Sequence, residues 1–246
     1  IFFMLQNSYI HIPNVGYVTE RKIWNSSVKD WYSFDKVKLP SFRKKHIKKF
    51  VDLSIKCLNN GNHSFFSSLM PKHEHWRCLE DFPKVAYLDI ETTGIDRNDD
   101  ITLIGVYDGS KVRSFIKGKD LSKFNDYIST FQTIVTFNGS CFDLPVISSK
   151  LNIKFDQLHV DLRFAFSRLG IMGGLKKIET LFELERSPET KGLDGYDAVK
   201  LWHKYVNGDE PSLELLKRYN EEDVIGLKVL SKRAYSMLKE RLVSKV

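Results

Sequence analysis

The chain has 246 residues, 42% of them hydrophobic and 28% charged, with a formal net charge of +7. That length and balance exclude a disordered chain and a disulfide-stapled mini-domain, and leave room for one full core plus a smaller module. The three scattered cysteines, Cys57, Cys78 and Cys141, predict no disulfide framework. The apolar opening Ile1-Phe2-Phe3-Met4-Leu5 is far shorter than the hydrophobic region of a signal peptide or a membrane span, so the expectation is a cytoplasmic protein without membrane attachment.

Charge divides the chain. Residues 1–80 hold 13 Lys and Arg against six Asp and Glu, whereas residues 81–246 hold 25 of each. This predicts a basic helical module over 1–80 and a second domain over 81–246. Within the module, the stretch from Ile10 to Trp24 resembles the hairpin of a helix-hairpin-helix element, whose backbone N–H groups at a helix start cradle a phosphate without reading bases. Gly16 fits that pattern. Asn14 stands where the first hairpin glycine is usual, and asparagine tolerates the left-handed backbone needed there. Leu39-Pro40-Ser41-Phe42 offers a second, degenerate hairpin; a purely architectural cap is the alternative.

A basic helix follows, with Arg43, Lys44, Lys45, Lys48 and Lys49 outside and Phe42, Ile47, Phe50, Val51 and Ile55 available for one apolar face. It is either a solvated face or a handle for nucleic acid. The Asn59-Asn60-Gly61-Asn62 cluster reads as a turn. His73-Glu74-His75 lacks a cysteine pair at zinc-ligand spacing, so it reads as a solvated turn and not a zinc site.

Residues 84–94, Lys-Val-Ala-Tyr-Leu-Asp-Ile-Glu-Thr-Thr-Gly, form a short aliphatic run between Pro83 and Gly94 and predict a buried central strand. Alternation puts Asp89 and Glu91 on one side of it. Two desolvated anions repel each other and require a cation or protons. Further strands are expected near 101–107, 111–117, 134–137 and 157–161. Helices are expected near 120–130, 143–151, 162–169, 174–183, 195–206 and 212–242. Asp143 opens the helix after the Asn138-Gly139 turn, where, taken alone, capping explains it better than chemistry does. On the last helix, Leu216, Tyr219, Asp223, Leu227, Leu230, Ala234 and Met237 share a face, and Asp223 is its one acid. Glu221 and Glu222 point away from that face and should be solvated, as should Lys177. Asp161 is expected to end a strand or cap the next helix, with a place near the acids as the alternative.

Taken in order, Asp89-Ile90-Glu91-Thr92-Thr93-Gly94, Asn138 to Asp143 and Tyr219 to Asp223 resemble the three motifs of the DEDD 3′ to 5′ exonucleases, the DnaQ-like branch of the ribonuclease H fold. A tyrosine four residues before the last aspartate matches the DEDDy subgroup. The segments 159–163, 173–179 and 194–202 are similar to YprB-type ribonuclease-H-like proteins. The resemblance covers about residues 81–242 and implies an α/β fold, a mixed sheet flanked by helices. It also implies two divalent cations, Mg²⁺ or Mn²⁺, roughly 4 Å apart. Asp89 would bridge them, Glu91 and Asp223 would complete one shell, and Asp143 would hold the other ion, with Tyr219 orienting water. Thr92, Asn138 and Lys176 would contact single-stranded DNA or RNA.

Two rival readings stand beside this one. Asp89-x-Glu91-x-Thr93 is similar to the nucleophile motif of haloacid-dehalogenase-type phosphatases, but that chemistry needs an aspartate where Glu91 stands. An inactive ribonuclease H-like module that only binds nucleic acid would have no use for a buried anion cluster, which destabilises a fold.

Overall fold

The computed structural model of the chain describes residues 4–244 apart from 27, 29, 95 and 97, so Ile1, Phe2 and Phe3 of the apolar opening lie outside the described residues. Five strands, β1 (Val85–Thr92), β2 (Ile101–Tyr107), β3 (Val112–Ile116), β4 (Thr133–Thr136) and β5 (Leu158–Asp161), form one sheet of order β3-β2-β1-β4-β5. β1 runs antiparallel to β2 and parallel to β4. It is central and buried at every residue but Asp89, as its unbroken aliphatic run predicts.

The helices are α1 (Tyr17–Trp24), α2 (Ser41–Asn59), α3 (His63–Leu69), α4 (Phe124–Ile128), α5 (Asp143–Leu151), α6 (Leu162–Arg168), α7 (Leu175–Leu181), α8 (Gly195–Val206) and α9 (Glu210–Val243). They cover both faces of the sheet. Val85, Tyr87 and Val135 pack with Val224, Leu227 and Leu230 of α9 and Phe166 of α6. Ala86, Leu88 and Ile90 point the other way, against Phe124 of α4 and Val146 and Ile147 of α5. Asp89 and Glu91 continue the Val85-Tyr87 parity, so they emerge on the α9 side. This is the expected mixed sheet between helices. One difference is local: the helix expected over 120–130 is a 3₁₀ turn, Leu121–Lys123, leading into the short α4.

Residues 5–82 gather around their own aromatic core, in which Trp31 stacks on Phe66 with ring centroids 6.1 Å apart. Ile47, Val51, Ser54 and Cys57 recur at helical spacing and form the buried face of α2. Phe42 does not join them. It is 85% exposed at the head of α2, one turn short of the packed stripe. Asn14 adopts the left-handed conformation with φ 64°, and Gly16 precedes α1 as its N-cap. What stands before Asn14 is the 3₁₀ turn Leu5–Asn7 and not an α-helix, so the described residues lack the first helix that a helix-hairpin-helix element requires.

His73-Glu74-His75 is not a solvated turn. It lies in the 3₁₀ helix Lys72–Cys78, and Glu74 and His75 are buried. Glu74 accepts from Arg77 Nε at 2.6 Å, from Arg168 Nη2 of α6 at 2.8 Å and from the Tyr17 hydroxyl of α1 at 2.8 Å. Arg77 also binds Glu20 of α1 at 2.9 Å. Glu20 in turn accepts the backbone N–H groups of Tyr9 and Ile10. Opposite charges and hydrogen bonds are what make these acids tolerable in the interior.

Arg77→Met keeps much of the volume but leaves Glu20 and Glu74 short of their shared cation. Chemical denaturation should therefore show a loss of about 3–5 kcal/mol. A loss under about 1 kcal/mol would mean that the cluster behaves as a surface pair.

Candidate metal centre

The acids meet where β1 ends beside α9. One oxygen each from Asp89, Glu91 and Asp223 can be chosen so that all three lie within 4.8 Å of one another. The register of the sheet shifts between Glu91 and Thr92, an irregularity after which pairing resumes at Thr92 and Ile101. Asp143 is the first residue of α5 and is 4% exposed. Its carboxylate lies close enough to Asp89 and Glu91 to add its field to theirs. The structure thus draws three of the four expected acids into one group and sets the fourth next to it.

Two side chains that the sequence reading passed over complete the surroundings. Asn220 of α9 donates from Nδ2 to Asp89 Oδ2 at 2.9 Å and to Glu91 Oε1 at 3.3 Å. It reaches them because Gly105 is the β2 residue paired with Asp89: a Cβ at that position would fall 1.7 Å from Asn220 Oδ1. Arg186 is the other. Its Nε and Nη2 bind Glu179 of α7 at 2.8 and 2.9 Å, and Nη2 also donates to Asp223 Oδ1. Glu222, expected in solvent, instead accepts the Ser187 N–H at 3.3 Å and the Thr190 hydroxyl, pinning the segment that follows Arg186 to α9. Glu221 and Lys177 are exposed, as expected.

Burial raises the affinity of these acids for protons, and their mutual repulsion adds to it. Glu91 is pushed up to about 8, by desolvation first and Asp223 second, although Asn220 opposes the shift. Desolvation and then Asp161 lift Asp143 to about 7, against its backbone hydrogen bonds. Asp89 is half-buried, but its carboxyl group is desolvated by the cluster and is raised well above the usual range by that burial and by Asp143, Asp223 and Glu91. Burial also raises Asp223, which Arg186 partly offsets. Tyr219, 6% exposed, is raised by burial and by Asp223, so its hydroxyl stays protonated. Lys176 Nζ lies 4.8 Å from the Tyr219 ring centroid and Arg186 Cζ 5.6 Å from it.

A cleft of about 390 Å³ opens onto Asp89, Glu91, Tyr219 and Asp223, and Lys176 and Asp194 also line it. The other expected contacts are placed as follows. Thr92 spends its hydroxyl on Gly94 O at 2.5 Å. Asn138 has φ 66°, and its side chain accepts from Arg163 at 2.8 Å. Asp161 ends β5 and caps α6, and it also accepts the N–H groups of Asn138 and Ser140, holding the loop that delivers Asp143. Asn14, Gly16 and the α2 cations belong to the N-terminal layer, and none lines the cleft. Of those cations, Lys44 is tied to Asp35 O and Lys48 to Asp35 and Asp52, while Arg43, Lys45 and Lys49 are exposed.

The RNase_H superfamily model matches residues 86–235 of this chain. The chain belongs to the RNase H superfamily. A search of curated proteins finds no match. Among the solved structures that match is the family B DNA polymerase from the hyperthermophilic archaeon Pyrobaculum calidifontis, at 19% identity and a TM-score of 0.47, over 65% of this chain and 24% of that one. The chain therefore spans about a quarter of the polymerase's length. No helix among the described residues of this RNase H superfamily member is long and apolar enough to cross a membrane.

The donor set is all oxygen, which suits a hard divalent cation, and its mutual repulsion is what such a cation would relieve. The raised acids give a sign. Unfolded carboxyls titrate near ~4, so between that value and the folded values of about 7 and 8 these acids bind more protons folded than unfolded, while His11, His75 and His159, held neutral by burial, act in the opposite sense until their unfolded value near ~6.5 is passed. Above that value stability must fall as pH rises. In chelator, the melting temperature should drop between pH ~6.5, where the histidines cease to titrate, and pH ~8, Asp89→Asn should flatten the drop, and Mg²⁺ or Mn²⁺ should reverse it at the upper end. A flat native profile in chelator would contradict the mutual loading of these acids.

Proposed function

We propose that this RNase H superfamily protein is a metal-dependent 3′ to 5′ exonuclease of the DnaQ-like DEDDy type, similar to YprB-type proteins, acting on single-stranded DNA or RNA. The observation that supports it most is the desolvated group of Asp89, Glu91 and Asp223, with Asp143 beside it and the Tyr219 ring one helical turn from Asp223. In this reading Asp89, Glu91, Asp143 and Asp223 hold two ions, Mg²⁺ or Mn²⁺. Bound ions would supply Lewis-acid polarisation of the scissile phosphate and a lowered pKa for the attacking water.

The chain's own residues do the rest. Asn220 fixes the rotamers of Asp89 and Glu91 through its amide, as partners of ligating carboxylates do. Tyr219, kept protonated by its surroundings, orients the attacking water by hydrogen bonding and does not act as a base. Lys176, which also lines the cleft, approaches the substrate phosphate. Phe137, Gly174 and Leu175 line both this cleft and a neighbouring groove of about 720 Å³ that includes Asn138, Arg163 and Phe164. The bases of a single strand would lie there against aromatic surface. Family membership removes the phosphatase alternative, while an inactive binding module remains the outcome if hydrolysis is absent.

Residues 1–80 form the accessory module in this proposal, 81–246 the catalytic domain, and Arg43, Lys45 and Lys49 are the part of the basic cluster left free to meet phosphate; Lys44 and Lys48 contribute less because of their partners. Neutralising the three exposed cations should weaken binding for all base sequences alike. It should also flatten the plot of log affinity against log salt by about 0.7 per lost contact on single strands. An unchanged slope would leave α2 a solvated face.

For the chemistry, Asp89→Ala should abolish hydrolysis of end-labelled single strands in Mg²⁺ and in Mn²⁺ while the protein stays folded. Tyr219→Phe keeps the packing and should lose about 10² in rate, and Asp223→Ala should lose far more. Full activity in Asp89→Ala would remove the site, and equal losses at Tyr219 and Asp223 would remove the division of roles.

A further inference from the structure

Arg186 holds an unusual position for a salt-bridged arginine. Its side chain is 10% exposed, and it joins Glu179, which is 4% exposed, to an acid of the cluster. The arrangement is built from several elements. Glu179 lies against α9 at Gly226, three residues after Asp223, where a Cβ would come 2.8 Å from Glu179 Oε1. Glu222 anchors Ser187 and Thr190 just beyond Arg186. The guanidinium also lies over the Tyr219 ring.

Of the fork of donors in arginine, Nε and Nη2 are engaged, and the buried Nη1 has no hydrogen-bond partner. Buried Arg77 likewise leaves one nitrogen, Nη2, without a partner, so what sets Arg186 apart is the acid it binds: Asp223 belongs to the acidic group that could hold a metal ion, and Glu20 and Glu74 do not. The pairing is also lopsided: Glu179 takes two hydrogen bonds from Arg186 and Asp223 takes one. Breaking the single bond to Asp223 leaves the guanidinium tethered to Glu179. Asp223 Oδ1 cannot give the same charge undiminished both to this guanidinium and to a divalent ion.

We propose that Arg186 is a tethered counter-cation that competes with a divalent metal ion for Asp223, with Glu179 holding it in reach when the metal takes its place. This rests on the metal-site reading above. It makes metal occupancy and Arg186 release two sides of one equilibrium, and each must weaken the other by the same factor.

Calorimetric titration of the full chain with Mn²⁺ tests it. Arg186→Gln should bind Mn²⁺ on the order of tenfold tighter than the native chain, within the range of ordinary coupling between two ligands. Arg186→Lys should fall between, because an ammonium keeps the charge but not the fork. In chelator, Arg186→Gln should melt lower than the native chain, and saturating Mn²⁺ should raise its melting temperature by more. A residue that merely orients Asp223 predicts the opposite for affinity, so equal or weaker Mn²⁺ binding in Arg186→Gln overturns the proposal.

If neither variant folds, the native chain still decides. The guanidinium ¹⁵N resonances of Arg186 should move on saturation with Mg²⁺, and resonances that stay in place overturn the proposal. A native chain that binds no Mn²⁺ is a different failure. It removes the metal site itself and this inference with it, whereas tight native binding with an indifferent Arg186→Gln removes this inference alone.

Discussion

Several carboxylates share one desolvated space at the end of β1, and the surrounding structure answers the repulsion this creates. Neither Asp89 nor Glu91 can move away, because β1 is the middle strand and its alternation fixes which face each residue occupies. Asp223 arrives on the apolar stripe that packs α9 to the sheet, so its position follows from Leu216, Leu227 and Leu230. The polar groups around the cluster are placed with equal economy. Asn220 enters over Gly105, Glu179 lies over Gly226, and Arg186 and Lys176 flank Tyr219. Two glycines in the interior of regular elements, ordinarily a cost in conformational entropy, here provide the space that holds the polar side chains.

The N-terminal layer obeys a related rule with a different solution. Glu20 and Glu74 are as buried as the acids of the cleft, but Arg77 and Arg168 neutralise them at 2.6 to 2.9 Å. That cluster pairs each carboxylate with an arginine, although Arg77 Nη2 is left without a partner, and it joins α1, the 3₁₀ helix Lys72–Cys78 and α6 into one frame. The acids at β1 are only partly paired. The contrast separates charge used for architecture from charge held ready for a ligand. It also explains why the basic surplus of residues 1–80 is on the outside: the cations inside this layer are already committed to carboxylates.

The sequence revealed those parts of the site that follow a local period. Alternation along β1 placed Asp89 and Glu91, and helical spacing placed Tyr219 and Asp223. Each strand was expected near where it lies, β1 from its unbroken aliphatic run, and the mixed sheet came with the family resemblance. Asn220 was within reach too, since it precedes Asp223 by one three-residue step on the same helix. The glycines in β2 and α9 were a second available sign, because glycine inside an element often marks a close approach. Arg186 carried no such sign. It sits in a loop without periodicity, and its partners are 7 and 37 positions away. Glu74 and Glu222 were misread for a similar reason, as a charged residue in a short polar stretch is usually solvated and the cations or hydroxyls that hold these two come from distant segments. Phe42 failed in the other direction, since the apolar face of α2 begins one turn later.

The mutual repulsion of the carboxylates at the end of β1 has one central consequence, that together they should bind divalent cations. Anomalous scattering from crystals equilibrated with Mn²⁺ tests this without reference to any substrate. The account predicts density against Asp89, Glu91 and Asp223, a second peak between Asp89 and Asp143 at the few-ångström separation of two-metal sites, and Arg186 withdrawn from Asp223. Saturating Mn²⁺ with no peak against these carboxylates, and with Arg186 still on Asp223, would contradict it.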